Sequence, residues 1–155
     1  MADNQPDVAI LTRTECFKLL AQASIGRIGA SIGALPVILP VHFATYEESV
    51  LFRTVPGTKL DAATLGAVVA FQADAYEPLG GAGWSVLLQG IASEVSDEEG
   101  DAPARSIPIG PWVGMGSNHR LMRIGVANVS GRRFRIAGEG PAVEFPDAPP
   151  LNGSP

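Results

Sequence analysis

Apolar and polar positions along the chain change period several times, and each change marks an element. Thr12 with Glu15 three residues on forms a capping-box pattern, and Phe17, Leu20, Ala21 and Ser24 follow at helical spacing, which predicts a first helix. From Ile25 the helical period is lost. Ile25 to Gly33 sets Gly26, Gly29 and Gly33 among branched residues and reads as a bent strand. Leu35 to Phe43 is apolar and β-branched, Thr45 to Ser49 supplies a turn, and Val50 to Thr54 returns as a hairpin partner. The two-residue period puts Val37, Leu39, Val41 and Phe43 on one face of that strand and Ile38, Pro40 and His42 on the other.

A short helix is predicted from Thr58 to Leu65 after the Pro56-Gly57 turn, followed by strands over Ala67–Tyr76 and Trp84–Val95. Asp97 to Asp101 is an acidic connector, and Pro103 to Asn118 is broken by proline and glycine. The last strands are predicted at His119–Val129 and Arg133–Ala137, with a tight turn at Ser130-Gly131. Residues 1–8 and 138–155 read as extended or disordered tails around one domain, 9–137. The fold class is therefore mainly β with short helices. About six strands in so small a domain predict a closed or nearly closed antiparallel barrel, because closure removes exposed edges.

Composition narrows the function. In 155 residues, 18 Gly and 13 Pro fit many turns, and 16 acidic against 11 basic side chains give a net charge of −5. That balance argues against nucleic acid or an anionic membrane as partner. Cys16 is alone, so no internal disulfide can form, and no basic leader or long apolar run is visible; the expected location is the cytoplasm. His42, His119 and Cys16 stand at no zinc-ligand spacing, so no metal is expected.

The string Phe52-Arg-Thr-Val-Pro-Gly-Thr-Lys-Leu60 carries the candidate chemistry. A guanidinium, a hydroxyl, a turn and an ammonium at a helix start are the parts that bind a phosphate. The same spacing is also that of a strand-turn-helix with solvated charges. Other residues have two readings as well. Pro40 and Val41 read as an edge-strand proline and a core valine, Gln89 as an exposed strand residue or one paired with a neighbour across a barrel seam, and Trp84 and Trp112 as packing residues. Cys16 reads as a small buried hydrophobe, and His42 as a strand residue with a local hydrogen bond and not a catalytic base. No catalytic residue is singled out. Five of the basic residues fall between Arg120 and Arg135 and could receive an anionic tail or pair with the acidic connector.

In order, Leu11-Thr-x-x-Glu-Cys-x-x-Leu-Leu20, Ile25-Gly-Arg-Ile-Gly29, Leu35-Pro-Val-Ile-Leu-Pro-Val41, Leu51-Phe-Arg-Thr54 with Gly57-x-Lys-Leu60, Gly83-Trp-Ser-Val86 and Ser130-Gly-Arg-Arg133 resemble the pyridoxamine 5′-phosphate oxidase-like FMN-binding split-barrel family, in its nitroimidazole-resistance-type branch. The resemblance implies a six-stranded Greek-key split barrel. It implies that Arg53, Thr54, Lys59 and Leu60 hold the FMN phosphate and ribityl chain, and that the backbone at Pro40 and Val41 faces the flavin ring. It further implies that Gln89 reaches a flavin, often from the partner subunit of a homodimer, and that Trp112 lies in a loop able to close over the ring. The implied activity is an oxidoreductase acting on a small organic substrate. The deazaflavin F420 is an alternative cofactor, and a non-catalytic flavin- or haem-binding protein is an alternative role. Two departures limit the transfer. The chain ends Leu-Asn-Gly-Ser-Pro in place of the Arg-Leu-x-Pro signature of true pyridoxamine-phosphate oxidases, and Phe52-Arg53-Thr54 stands where the nitroimidazole-resistance branch often has a histidine.

Overall fold

The computed structural model describes residues 8–77, 81–96, 98, 101–109 and 118–135. The C-terminal tail expected from residue 138 and the loop that carries Trp112 lie outside the described residues, as do residues 1–7. Strands β1 (Val8–Ile10), β2 (Ile25–Ile32), β3 (Leu35–Tyr46), β4 (Ser49–Thr54), β5 (Val68–Glu77), β6 (Ala82–Glu94) and β7 (Arg120–Arg135) are joined by helices α1 (Arg13–Leu20), α2 (Lys59–Thr64) and α3 (Ala102–Arg105). Val8, expected in the N-terminal tail, thus belongs to a short strand.

The sheet order β1-β7-β4-β3-β2-β5-β6 closes on itself through a further β7–β6 pairing. Every pairing is antiparallel. Strands β2 to β7 therefore form a closed six-stranded ring, and β1 lies beside the far half of β7. The expected barrel is present, with that one short strand added.

Local sequence explains most of the elements. Thr12 caps α1: its hydroxyl accepts from the Glu15 N–H at 3.2 Å while its own N–H donates to the Glu15 carboxylate at 2.7 Å. Along β3, Val41 and Phe43 are buried and Ile38 and Pro40 exposed, as the period of two requires. The β3–β4 turn is tighter than expected. Thr45 and Tyr46 continue the strand, and only Glu47 and Glu48 form the reversal, with φ of 45° and 56°.

The end of the chain departs from the expected pair of strands. Ser130-Gly131 is not a turn but the interior of a single 16-residue strand, β7. The glycine is there for close approach. A Cβ at Gly131 would stand 2.6 Å from the Cys16 Sγ of α1 and 3.1 Å from Leu11 Cδ1. That contact lets α1 cap the barrel, and Cys16 is buried as expected.

Inside the ring, Phe52, Phe71, Ile28, Leu88, Met122 and Ile124 are fully buried, and Phe43 meets Phe71 edge-on at 4.8 Å. Each such side chain contributes on the order of 2 kcal/mol by leaving water. A second cluster of Leu51, Val95, Ala104, Ile109 and Leu121 lies outside the main core, bringing residues of α3 and its flank onto β4, β6 and β7. Among the described residues no helix is long and apolar enough to cross a membrane.

Candidate functional site

Strand β4 ends at the candidate phosphate turn, and the turn is organised by Asp61. This carboxylate, at the third position of α2, is only 6% exposed. Its Oδ1 accepts from the Thr54 hydroxyl at 2.9 Å and from Arg120 Nε at 3.1 Å, while Oδ2 accepts from the Gly57 N–H at 3.1 Å. Thr58 caps the helix by accepting from the Asp61 N–H at 3.3 Å. Burial alone would raise the Asp61 pKa. The Gly57 N–H, the Thr54 hydroxyl and the Arg120 guanidinium outweigh it and hold the carboxyl below its ordinary range.

These bonds assign the turn's residues different parts. Thr54 is fully buried and its hydroxyl is committed to Asp61, so its side chain supports the turn from within. Leu60 packs against the main core. Lys59, the first residue of α2, is exposed and makes no ion pair among the described residues. Arg53 points outward between the inward-facing Phe52 and Thr54, half-buried, its Nε donating to the Ile109 carbonyl at 3.0 Å. It has no ion pair among the described residues, and burial lowers its pKa from the usual guanidinium value. A half-buried cation without a counter-charge is a place where an anion gains on entry.

Arg53 opens on a cavity of about 630 Å³ that Glu94, Ser96, Arg105, His119 and Arg120 also line. Among the described residues, His119 Nδ1 is buried with no hydrogen-bond partner. Arg105 donates to the Ser96 carbonyl at 3.4 Å. Arg120 is held between two carboxylates, Asp61 at 3.1 Å and Glu94 at 3.2 Å. Three arginines and the Glu94 carboxylate thus line the cavity, and Arg120 is already paired. The run of basic residues from Arg120 to Arg135 does not form a cluster in space: roughly 40 Å of extended strand separates Arg120 from Arg132. Arg123 pairs with Asp101 of the acidic connector at 3.0 Å.

Pro40 and Gln89 lie apart from this cavity but share the outer face of the barrel. Register links Pro40 to Arg27, Arg27 to Gln72 and Gln72 to Leu87; the next row runs Ile38, Gly29, Ala70, Gln89. Gln89 is exposed there, whereas the Val41 side chain faces the core and leaves only its backbone to a ligand. Sequence reasoning reached Arg53 and Lys59. Asp61, Arg105 and His119 are not legible in the sequence as parts of the site, because their neighbours come from distant segments.

The family model for pyridoxamine 5′-phosphate oxidase matches residues 12–133. An uncharacterized protein of Mycobacterium tuberculosis is 38% identical over 114 residues, covering 70% of this chain and 74% of its own. Among solved structures, the FAD binding protein from Mycobacterium smegmatis is 36% identical, with a TM-score of 0.73 over 82% of this chain and 100% of that one. A FAD-binding protein from Mesorhizobium loti is 25% identical, with a TM-score of 0.67 over 81% of this chain and 96% of that one.

Proposed function

Because the chain belongs to the pyridoxamine 5′-phosphate oxidase family, we propose that it is a homodimeric flavin-binding oxidoreductase, with FAD in place of the FMN expected from the sequence. One observation carries the flavin reading: Arg53, half-buried and without a counter-charge among the described residues, faces the cavity, with exposed Lys59 six residues on at the start of α2. Both side chains keep donors for a phosphate while Asp61 fixes the turn between them. FAD is favoured over FMN by the similar proteins alone. The related proteins from M. smegmatis and M. loti bind FAD by name.

A bound flavin supplies hydride and single-electron transfer, and the chain's part is to bind and orient it toward a small organic substrate. Dimerisation is supported by the outer face, where Ile38, Val68, Ile91 and Leu87 are 76%, 74%, 57% and 40% exposed. An apolar face of this kind on a barrel marks an interaction surface, and a two-fold pairing makes it self-complementary.

The test is the chromophore. Protein purified without added cofactor should be yellow, and heat-released material should co-elute with FAD. Release of FMN alone would overturn the choice of FAD. Failure to bind either flavin on titration would overturn the reading as a whole, and a Soret band would replace it with haem.

A further inference from the structure

We propose that Arg120 is a charge-cancelling positioning residue: it neutralises the resident carboxylate of Asp61, so that the turn from Thr54 to Lys59 stays fixed without repelling the flavin's phosphates. The proposal rests on the flavin reading above. Asp61 accepts from Gly57, Thr54 and Arg120, and so brings a negative charge to the very turn that is to receive a phosphate. Uncompensated, that charge would oppose the ligand and would itself be buried without a counter-charge.

The compensation comes from the strand that closes the barrel. In the β4–β7 ladder Arg120 stands opposite Thr54, which brings its Nε within 3.1 Å of Asp61 Oδ1. Its second arm lies 3.2 Å from Glu94 Oε2 on β6. With two carboxylates engaged, Arg120 is committed within the protein, and Arg53 and Lys59 are left to meet the ligand. The cation thus acts through Asp61 and need not touch the cofactor.

FAD titrations of the apoprotein, followed by quenching of flavin fluorescence, test this in the wild type, R120Q, D61N and the D61N/R120Q double variant. R120Q should weaken FAD binding at least tenfold. The double variant should return to within threefold of wild type, although it has lost more hydrogen bonds than either single variant. Wild-type affinity in R120Q would overturn the proposal. A double variant as weak as R120Q would also overturn it, by making Arg120 a direct ligand contact. Should R120Q fail to fold, the double variant decides alone, since it leaves no unpaired buried charge: recovery within threefold supports cancellation, and a tenfold loss refutes it. If the wild type itself bound neither FAD nor FMN, the flavin reading would fall and this proposal with it, an outcome distinct from the others because they require wild-type binding.

Discussion

Glu47 and Glu48 occupy the left-handed region at the β3–β4 reversal, a conformation that costs a residue with a Cβ on the order of 1 kcal/mol. Two consecutive positive φ values make a hairpin turn whose twist suits the strands, and Asn-Gly is the pair that adopts it most readily. Glu48 also pairs with Arg13 at 3.2 Å, but both side chains are largely exposed, so the pair contributes about 0.5 kcal/mol at most. The strain outweighs the ion pair. E47N/E48G should therefore stabilise the barrel by about 1 kcal/mol and raise its melting temperature by roughly 3–6 °C; a lower melting temperature in calorimetry would show that the glutamates contribute more than their geometry suggests. Asp61 gives a second residue-scale expectation. Its folded pKa lies below the ordinary 3.8, so its contribution is present above that value and is lost as pH falls through the lower, folded one. In urea titrations over this acid range, D61N should be less stable than wild type at neutral pH and should lose less on acidification; equal slopes for the two proteins would contradict the assignment.

Among the described elements, β7 is the longest strand and carries a close contact with α1 at Gly131. G131A would drive a methyl group to within 2.6 Å of Cys16 Sγ and 3.2 Å of Val86 Cγ2, an overpacking expected to cost about 1–3 kcal/mol. Because the nearest atom belongs to Cys16, C16A in the same protein should recover part of that loss, and strictly additive destabilisation in urea unfolding would dismiss the contact as its cause. The same strand explains what the sequence makes legible. Thr12 and Glu15 announce α1 because both partners of each cap bond lie within four residues, and the alternating burial of β3 is written in its own period. Ser130-Gly131 looks like a turn because glycine serves both for reversal and for close approach, and only the position of α1 across the barrel end distinguishes them. Asp61 is similar. Its place at the start of α2 is legible, but its bond to Arg120 joins residues 59 apart and depends on the closure of β4 against β7. Arg53 could be singled out by its neighbours in the chain, whereas the cavity it faces is assembled from β4, β6, the α3 segment and the start of β7.

For the whole molecule, the proposed phosphate turn and the apolar outer face are separate demands on one barrel. Arg53 and Lys59 lie at the end of β4 and the start of α2, while Val68 and Ile91 oppose each other across the β5–β6 ladder. Substitutions at the two places should thus fail differently. R53A/K59A removes two exposed or half-buried cations and no core side chain, so the barrel should stay folded and dimeric while flavin retention is lost. Ile91→Asp places a charge on the face assigned to the second copy and leaves the turn intact. If the flavin lies at the dimer interface, that variant should become a monomer in light scattering and lose flavin as well, since each pocket would lack the partner's half. The asymmetry is the informative result: one variant dimeric and colourless, the other monomeric and colourless. A monomeric Ile91→Asp protein that keeps full flavin would confine the cofactor to a single chain and remove Gln89 of the partner from its surroundings, and a colour-retaining R53A/K59A dimer would move the phosphate away from the β4–α2 turn.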